Sequence, residues 1–300
     1  MNEEDEGLQD SIRRYMAADG NVRILLAHTT QSCEEARQVH EASPVATAAM
    51  GRTLTAALLL ASEMKGDGSI TTNVAGNGPM GRICAVARPD GTVKVTAADP
   101  TVDLPPRADG KLDVAGAVGR EGKLAVIRDL GMREPWVGQV NLTSGEIAED
   151  FAMYLTVSEQ QPSLVSLGVL IGRDRQVVSA GGIVVQPLPG CPEEVLATLE
   201  NLAPALVDLS RGLQQEGPDG LVQSVFGGLN PALLDERPAR LQCDCSRERI
   251  SRALIALGVE ELTDMSRQDD GAELQCHFCN VKYQFTADDL NALLVEASQR

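Results

Sequence analysis

Short apolar blocks broken by Gly, Pro and Asp dominate the first two thirds of the chain, the rhythm of strands joined by tight turns. NVRILLAHTT (Asn21–Thr30) is β-branched and aliphatic and predicts a strand. Ser43 then predicts a helix cap and Pro44 a first turn, opening a long helix over residues 43–66 whose small residues suit burial against a sheet. SITTNVAG (Ser69–Gly76) predicts a strand, and Gly81–Ala97 a hairpin turning at Pro89-Asp90-Gly91. KLAVIRDL and VGQVNLT predict two more strands. SGEIAEDFAMYLTVSEQ predicts a helix with Ile147, Phe151, Tyr154 and Leu155 on one face, and Leu164–Gln186 a second hairpin turning near Arg173-Asp174. The pattern is that of an α+β fold, with a mainly antiparallel-sheet N-terminal domain over residues 1–187.

The rhythm changes at PLPGCPEE (Pro187–Glu194). EEVLATLENLAPALVDLSRGL, DGLVQSVFGGL and NPALLDE read as short helical patterns, rich in leucine and interrupted by Gly and Pro. They predict a helical linker over 188–239 that is marginal by itself and takes its stability from docking. A small C-terminal module follows over 240–300. It opens with a helix, SRERISRALIALG, which sets Ile250, Leu254 and Leu257 on one face and stops at Gly258. It closes with a helix near TADDLNALL, where Thr286 caps and Asp289 stands three residues on.

Composition narrows the function classes. The chain has 300 residues, 43% hydrophobic but only 3% aromatic, so its cores are aliphatic. A net charge of −17 repels phosphate backbones and argues against nucleic acid as a partner. The N-terminus is acidic with no apolar signal segment, and the longest apolar run, AALLLA, is too short for a bilayer. A soluble cytoplasmic protein with no membrane partner is expected.

The candidate chemistry is sulfur. Cys33, Cys84 and Cys191 are scattered, and they read as small buried hydrophobes or bystanders. Cys243 and Cys245 form a C-x-C pair in LQCDCSRERI, and Cys276 and Cys279 a C-x-x-C pair in LQCHFCNVKY. Thiolates are soft ligands, and two close pairs on separate segments are how a chain sets four sulfurs around one zinc ion. The second pair falls between AEL and VKYQF, a hairpin knuckle. His277 lies inside that pair, but four sulfurs already fill a tetrahedron. Arg247, Arg249, Arg252 and Lys282 stand near the thiols in sequence, and Cys245 precedes a helix N-terminus. Both features favour thiolate, the form that oxidants attack, so structural zinc and redox sensitivity both stay open.

Other motifs are weaker. GNGPMG (Gly76–Gly81) fits a dinucleotide fingerprint by letter, yet a strand follows it and it reads as a tight turn. GAVGREGKL (Gly116–Leu124) is an imperfect phosphate loop with Leu124 where a hydroxyl is needed. The three histidines, His28, His40 and His277, have no evident nucleophile partner. No catalytic constellation stands out, and the chain is not expected to be an enzyme.

These segments together carry a resemblance. SPVATAAMGRTLTAALLLASEMKGD, GNGPMG, GEIAEDFAMYLTVSEQQPSLVSLGVL, AGGIVVQPLPG, CSRERI and CHFCNVKYQF make the chain similar, nearly end to end, to the 33 kDa chaperonins, the redox-regulated bacterial heat-shock holdases. That resemblance implies one zinc per reduced chain, held by Cys243, Cys245, Cys276 and Cys279 in an inactive protein. It implies that oxidants such as hypochlorite form Cys243–Cys245 and Cys276–Cys279 disulfides and expel zinc. The C-terminal module and linker then unfold, and a homodimer holds unfolding client proteins without ATP. The rival readings are a thiol-disulfide oxidoreductase, which an insulin-reduction assay separates, and a constitutive zinc-ribbon binding protein.

Overall fold

The computed structural model describes residues 9–267 and 271–298; the acidic segment 1–8 lies outside them. Two compact units divide the chain, Met1–Gln242 and Cys243–Arg300. The fold is α+β with antiparallel sheets. In the first unit β1 (Ser11–Ala17), β2 (Val22–His28), α1 (Thr30–His40), α2 (Pro44–Ala61), β3 (Ser69–Gly76), β4 (Arg82–Ala87) and β5 (Thr92–Ala97) lead into α3 (Val114–Val118), β6 (Gly122–Asp129) and β7 (Trp136–Asn141). Then come α4 (Ala148–Val157), β8 (Leu164–Ile171), β9 (Val177–Pro187), α5 (Glu193–Leu202), α6 (Leu209–Phe226), β10 (Ala232–Pro238) and β11 (Arg240–Leu241). Five strands run in the order β10-β1-β2-β9-β8, and six in the order β11-β5-β4-β3-β6-β7.

α2 lies between the sheets, touching β2, β8 and β9 on one side and β3, β4 and β5 on the other. Ser43 caps it, accepting from the Ala46 N–H at 3.2 Å, with Pro44 in its first turn. It is long and apolar enough for a bilayer, yet 89% of it is buried inside the protein. Its alanines and leucines fill the main core with Ile70, Val74, Ile83, Val95, Leu124 and Val126. The face expected on α4 is also buried: Ile147, Phe151, Tyr154 and Leu155 all lie within this core. The two glycine motifs pack against each other. Gly78 and Met80 donate their backbone N–H groups to the carbonyls of Val118 and Ala117, at 2.9 and 3.0 Å.

Several elements escaped the sequence pattern, β1 and α1 among them. β1 reads SIRRYMA, and its two arginines disguise a strand. Arg13 is held by Asp219 and Glu236, and Arg14 by Glu63, so both guanidinium groups can sit against the sheet. α1 has no local cap, since the Thr29 side chain makes no capping bond. Its first N–H groups are taken by buried Asp10, which accepts from Gln31 at 3.0 Å and Ser32 at 2.6 Å from more than twenty residues away.

Residues 188–239 lie within the first unit. α5, a 3-10 turn at Ala203–Leu206 and α6 follow the expected interrupted pattern, and α6 breaks at Gly217, where φ is 70°, just before Pro218. Their leucines cover the second face of the five-stranded sheet. Leu199, Leu206, Leu209, Leu213, Leu221, Val222 and Phe226 pack on Tyr15, Val22, Ile24, Leu26, Ile183 and Val185. Gly181 on β9 permits this approach, because a Cβ there would stand 2.4 Å from Leu213 Cδ1. The helical reading of NPALLDE is corrected. Asn230 takes a left-handed conformation, Pro231 follows, and the segment pairs with β1 as the edge strand β10.

One carboxylate, paired within α1, ties that helix to β9. Glu34 accepts from Arg37 at 2.6 and 2.8 Å and from the Val177 N–H at 2.9 Å. The Arg37 guanidinium holds the Glu34 carboxyl down at about 2 against an ordinary 4.5, with burial opposing it and the Val177 and Gln38 donors assisting. A depressed carboxylate contributes stability above its ordinary pKa and loses it as pH falls toward the folded value. Glu34→Gln should therefore cost about 1–2 kcal/mol in urea unfolding at neutral pH. The gap to the parent should close between pH 4.5 and about 2. A gap that stays constant with pH would assign the loss to packing.

Candidate metal centre

The second unit is small. α7 (Arg247–Leu257), α8 (Val259–Ser266), β12 (Ala272–Gln275), β13 (Lys282–Phe285) and α9 (Ala287–Ser298) surround one cluster of buried side chains, Leu254, Leu262, Phe285 and Leu290. Ser246 caps α7, accepting from the Arg249 N–H at 3.2 Å. Thr286 and Asp289 cap α9 reciprocally, at 2.8 and 3.2 Å. Of the face expected on α7, Leu254 is buried and Ile250 partly so, but Leu257 is 53% exposed. The helix ends there at Gly258, and Ile255 is the second buried residue of α7.

β12 and β13 pair antiparallel, with Gln275 opposite Lys282, and the C-x-x-C pair occupies the turn between them. The Cys276 N–H donates to the Val281 carbonyl at 2.9 Å, and the Asn280 N–H to the Cys276 carbonyl at 2.8 Å. Asn280 takes the left-handed conformation that such a knuckle needs, at φ 59°. The C-x-C pair comes from the chain just ahead of α7. All four sulfurs of Cys243, Cys245, Cys276 and Cys279 lie within 4.8 Å of one another. Cys243 Sγ stands 3.7 Å from Cys276 Sγ, and Cys245 Sγ 3.3 Å from Cys279 Sγ.

This donor set fits a metal. Zinc bonds thiolate sulfur at about 2.3 Å, so the edges of its tetrahedron are about 3.8 Å long. The observed separations approach those edges and are far beyond a disulfide bond of about 2.0 Å. The four cysteines could hold one ion, with each contributing a sulfur. His277 is exposed and stands outside the group. Cys33 is fully buried and burial pushes its thiol up. Cys84 is half-buried and shifted the same way for the same reason. Cys191 stands apart, with its thiol toward the Pro192 carbonyl at 3.8 Å.

The cations read from sequence as thiolate partners have other work. Arg247 pairs with Asp289 at 2.9 Å and stacks over the Phe285 ring at 4.2 Å. Arg249 pairs with Asp244, and Lys282 with Glu273. The sulfurs instead have a hydroxyl that the sequence reading missed: Tyr283 Oη donates to Cys245 Sγ at 3.1 Å. Burial raises the Cys245 thiol, but the Tyr283 hydrogen bond and the neighbouring cysteines outweigh it and the net shift is downward. Burial pushes Cys243 up, and Cys279 up to about 11. The available signal was the position of Tyr283 on a strand four residues beyond Cys279, leading back along the knuckle.

Comparisons with known proteins agree over nearly the whole chain. The Hsp33 protein family model matches residues 10–286. A 33 kDa chaperonin of Desulforamulus reducens is 45% identical over 294 residues, covering 98% of this chain and 100% of the relative. The 33 kDa chaperonin of Bacillus subtilis is 41% identical over 286 residues, covering 95% and 98%. The crystal structure of a 33 kDa chaperonin from Thermotoga maritima, 36% identical, superposes with a TM-score of 0.89 and covers 98% of this chain and 100% of its own.

Removing the Tyr283 hydroxyl should raise the Cys245 thiol and lower its thiolate fraction at neutral pH. In Tyr283→Phe, alkylation of Cys245 in metal-stripped, reduced protein should slow by about threefold to tenfold, read by peptide mass mapping. Cys279 should change little, and the ring keeps its packing. An unchanged rate at Cys245 would show that this hydrogen bond does not set the reactivity.

Proposed function

We propose a function that proceeds from one premise: this chain belongs to the Hsp33 family, the 33 kDa chaperonins. It is a chaperone whose clients are unfolding proteins. In the finer reading it is an ATP-independent cytoplasmic holdase, silent when reduced and zinc-bound and switched on by oxidation. The observation that carries this reading is four cysteine sulfurs within 4.8 Å, in a unit whose described residues put four fully interior side chains in its apolar cluster.

Cys243, Cys245, Cys276 and Cys279 would hold the ion as thiolates. Zinc, when bound, supplies a cross-link among four points of the unit worth about 10–16 kcal/mol in comparable peptides. Hypochlorite takes an electron pair from one thiolate to give a sulfenyl chloride. A second thiolate displaces chloride and forms the S–S bond. Two equivalents of oxidant thus remove four electrons and yield Cys243–Cys245 and Cys276–Cys279, the pairing the family implies. Peroxide combined with heat reaches the same state more slowly. Sulfurs engaged in disulfides no longer bind zinc, and a module of about 60 residues has too small a core to absorb that loss. The linker then loses its anchored end, its leucines leave the five-stranded sheet, and the uncovered apolar surface holds clients in a homodimer.

Reduced protein should contain one zinc per chain with an all-sulfur shell, release it on hypochlorite treatment, and only then suppress light scattering by a heat-denaturing client. Nitrogen in the first shell by X-ray absorption, or equal protection by reduced and oxidised protein, would defeat the reading. The linker step has its own test. Leu199 is 7% exposed against the sheet, and Leu199→Glu should cost the docked linker about 2–4 kcal/mol. The variant should hold clients while still reduced and zinc-loaded. Fast hydrogen exchange across 188–239 without client holding would mean that the linker is not the cover.

A further inference from the structure

β10 is an unusual piece of sheet. It pairs antiparallel with β1 from Ser11↔Pro238 to Met16↔Ala232, yet none of its seven side chains is buried. Leu233 and Leu234 are 47% and 58% exposed. Backbone hydrogen bonds, not packing, hold the strand. The side-chain exceptions are polar: Glu236 accepts from Arg13 at 2.8 and 3.0 Å, and Arg237 reaches the carbonyls of Ser62 and Pro89 at 3.5 and 3.4 Å. β1 is the opposite case. It pairs with β2 along all seven residues, and Ser11, Ile12, Tyr15 and Ala17 are buried. β1 therefore stays in place if β10 leaves.

The chain runs from β10 through Ala239 and β11 straight into Cys243. β11 is only two residues long and pairs with β5 over Arg240↔Thr92 and Leu241↔Val93. Between Cys243 and β10 the chain is held by this short pairing, by the Ala239 N–H on the Asp10 carbonyl at 2.9 Å and by buried Ala239, so loss of order that enters from Cys243 has only a short segment to undo before β10. Departure of β10 leaves a row of unpaired N–H and C=O groups along β1, an edge that templates another strand. It also leaves Arg13 without Glu236. If α6 departs too, Asp219 no longer pairs with Arg13 at 2.9 Å. Tyr15, opposite Leu233 in the register, lies on the same face as Arg13.

We propose that β10 is the chain's own stand-in for a client: on activation the β1 edge accepts an extended segment of an unfolding polypeptide as a replacement strand. The inference rests on the holdase reading and specifies how that surface takes its clients. Main-chain pairing makes the slot tolerant of sequence, as the exposed side chains of β10 already indicate. Tyr15 favours an apolar residue at the position of Leu233. Arg13 favours an acidic one at the position of Glu236.

The test uses full-length, hypochlorite-oxidised protein, a heat-denaturing client and a synthetic peptide spanning Asn230–Arg240. The peptide in molar excess should abolish most of the protection seen by light scattering. The same peptide N-methylated at the amides that pair with β1 should not compete, and one with Glu236→Lys should compete several-fold less well. In hydrogen exchange, the β1 amides that face β10 should become labile on oxidation and slow by at least about tenfold when client binds. Protection that persists with peptide present, together with labile β1 amides in the client complex, would overturn the proposal. So would β1 amides that stay protected in the oxidised protein without client and open on dilution, because a second copy's β10 would then fill the slot. Oxidised protein that holds no client at all would instead overturn the holdase reading, and this inference with it.

Discussion

The second unit depends on whether four sulfurs share one ion. Among the described residues its apolar cluster has four fully interior side chains, Leu254, Leu262, Phe285 and Leu290, and its surface pairs are exposed ones of small worth. Structural zinc contributes about 10–16 kcal/mol in small modules, while whole domains are stable by about 5–15 kcal/mol. If the four sulfurs hold zinc as proposed, ligation and folding are nearly the same equilibrium. A larger core would survive loss of the metal and would report nothing. Under the proposed switch, so small a core turns sulfur chemistry into a change of fold.

The first unit answers with a sheet that is apolar on both faces. Alternate residues of β2 and β9 serve different layers: Leu25, Ala27 and Val184 face the α2 core, while Ile24, Leu26, Ile183 and Val185 face the linker helices. The α2 side is continuous with the main core. The linker side is covered by helices broken at Ala203–Leu206 and at Gly217–Pro218. Such helices have little stability of their own, so their cover lasts only while docking is favourable. One sheet thus carries one face continuous with the main core and another covered by helices of little stability of their own.

Much of this was legible in the sequence, for local reasons. β3 reads SITTNVAG with clean alternation, and its bounds fall where the pattern put them. Ser43-Pro44 and Thr286 with Asp289 announced their helix starts, because these caps are built within one turn. The four cysteines were legible because metal-binding thiols come in close pairs, and the structure brings those four together. What escaped depends on partners distant in sequence. α1 is capped by Asp10, Arg13 of β1 is neutralised from α6 and β10 and Arg14 by Glu63 just past α2, and NPALLDE becomes a strand because the β1 edge is there to receive it. No window of ten residues contains those partners.

The same distinction governs the sulfur site. Nearness in sequence pointed to Arg247, Arg249, Arg252 and Lys282 as the groups that would favour thiolate. Arg247, Arg249 and Lys282 are each spent on a carboxylate. The group that reaches a sulfur is the neutral hydroxyl of Tyr283, brought there by the β12–β13 register. A cation would favour thiolate at every sulfur within its field, whereas a hydrogen bond acts on one. Cys245 is shifted down while Cys243 and Cys279 are shifted up, so these three thiols differ by position. The sulfur shifted down, Cys245, is next but one to Cys243 in the chain and 3.3 Å from Cys279 in space. An oxidant that strikes Cys245 first therefore disables both segments of the site in one event, since that sulfur belongs to the C-x-C pair and touches the C-x-x-C pair.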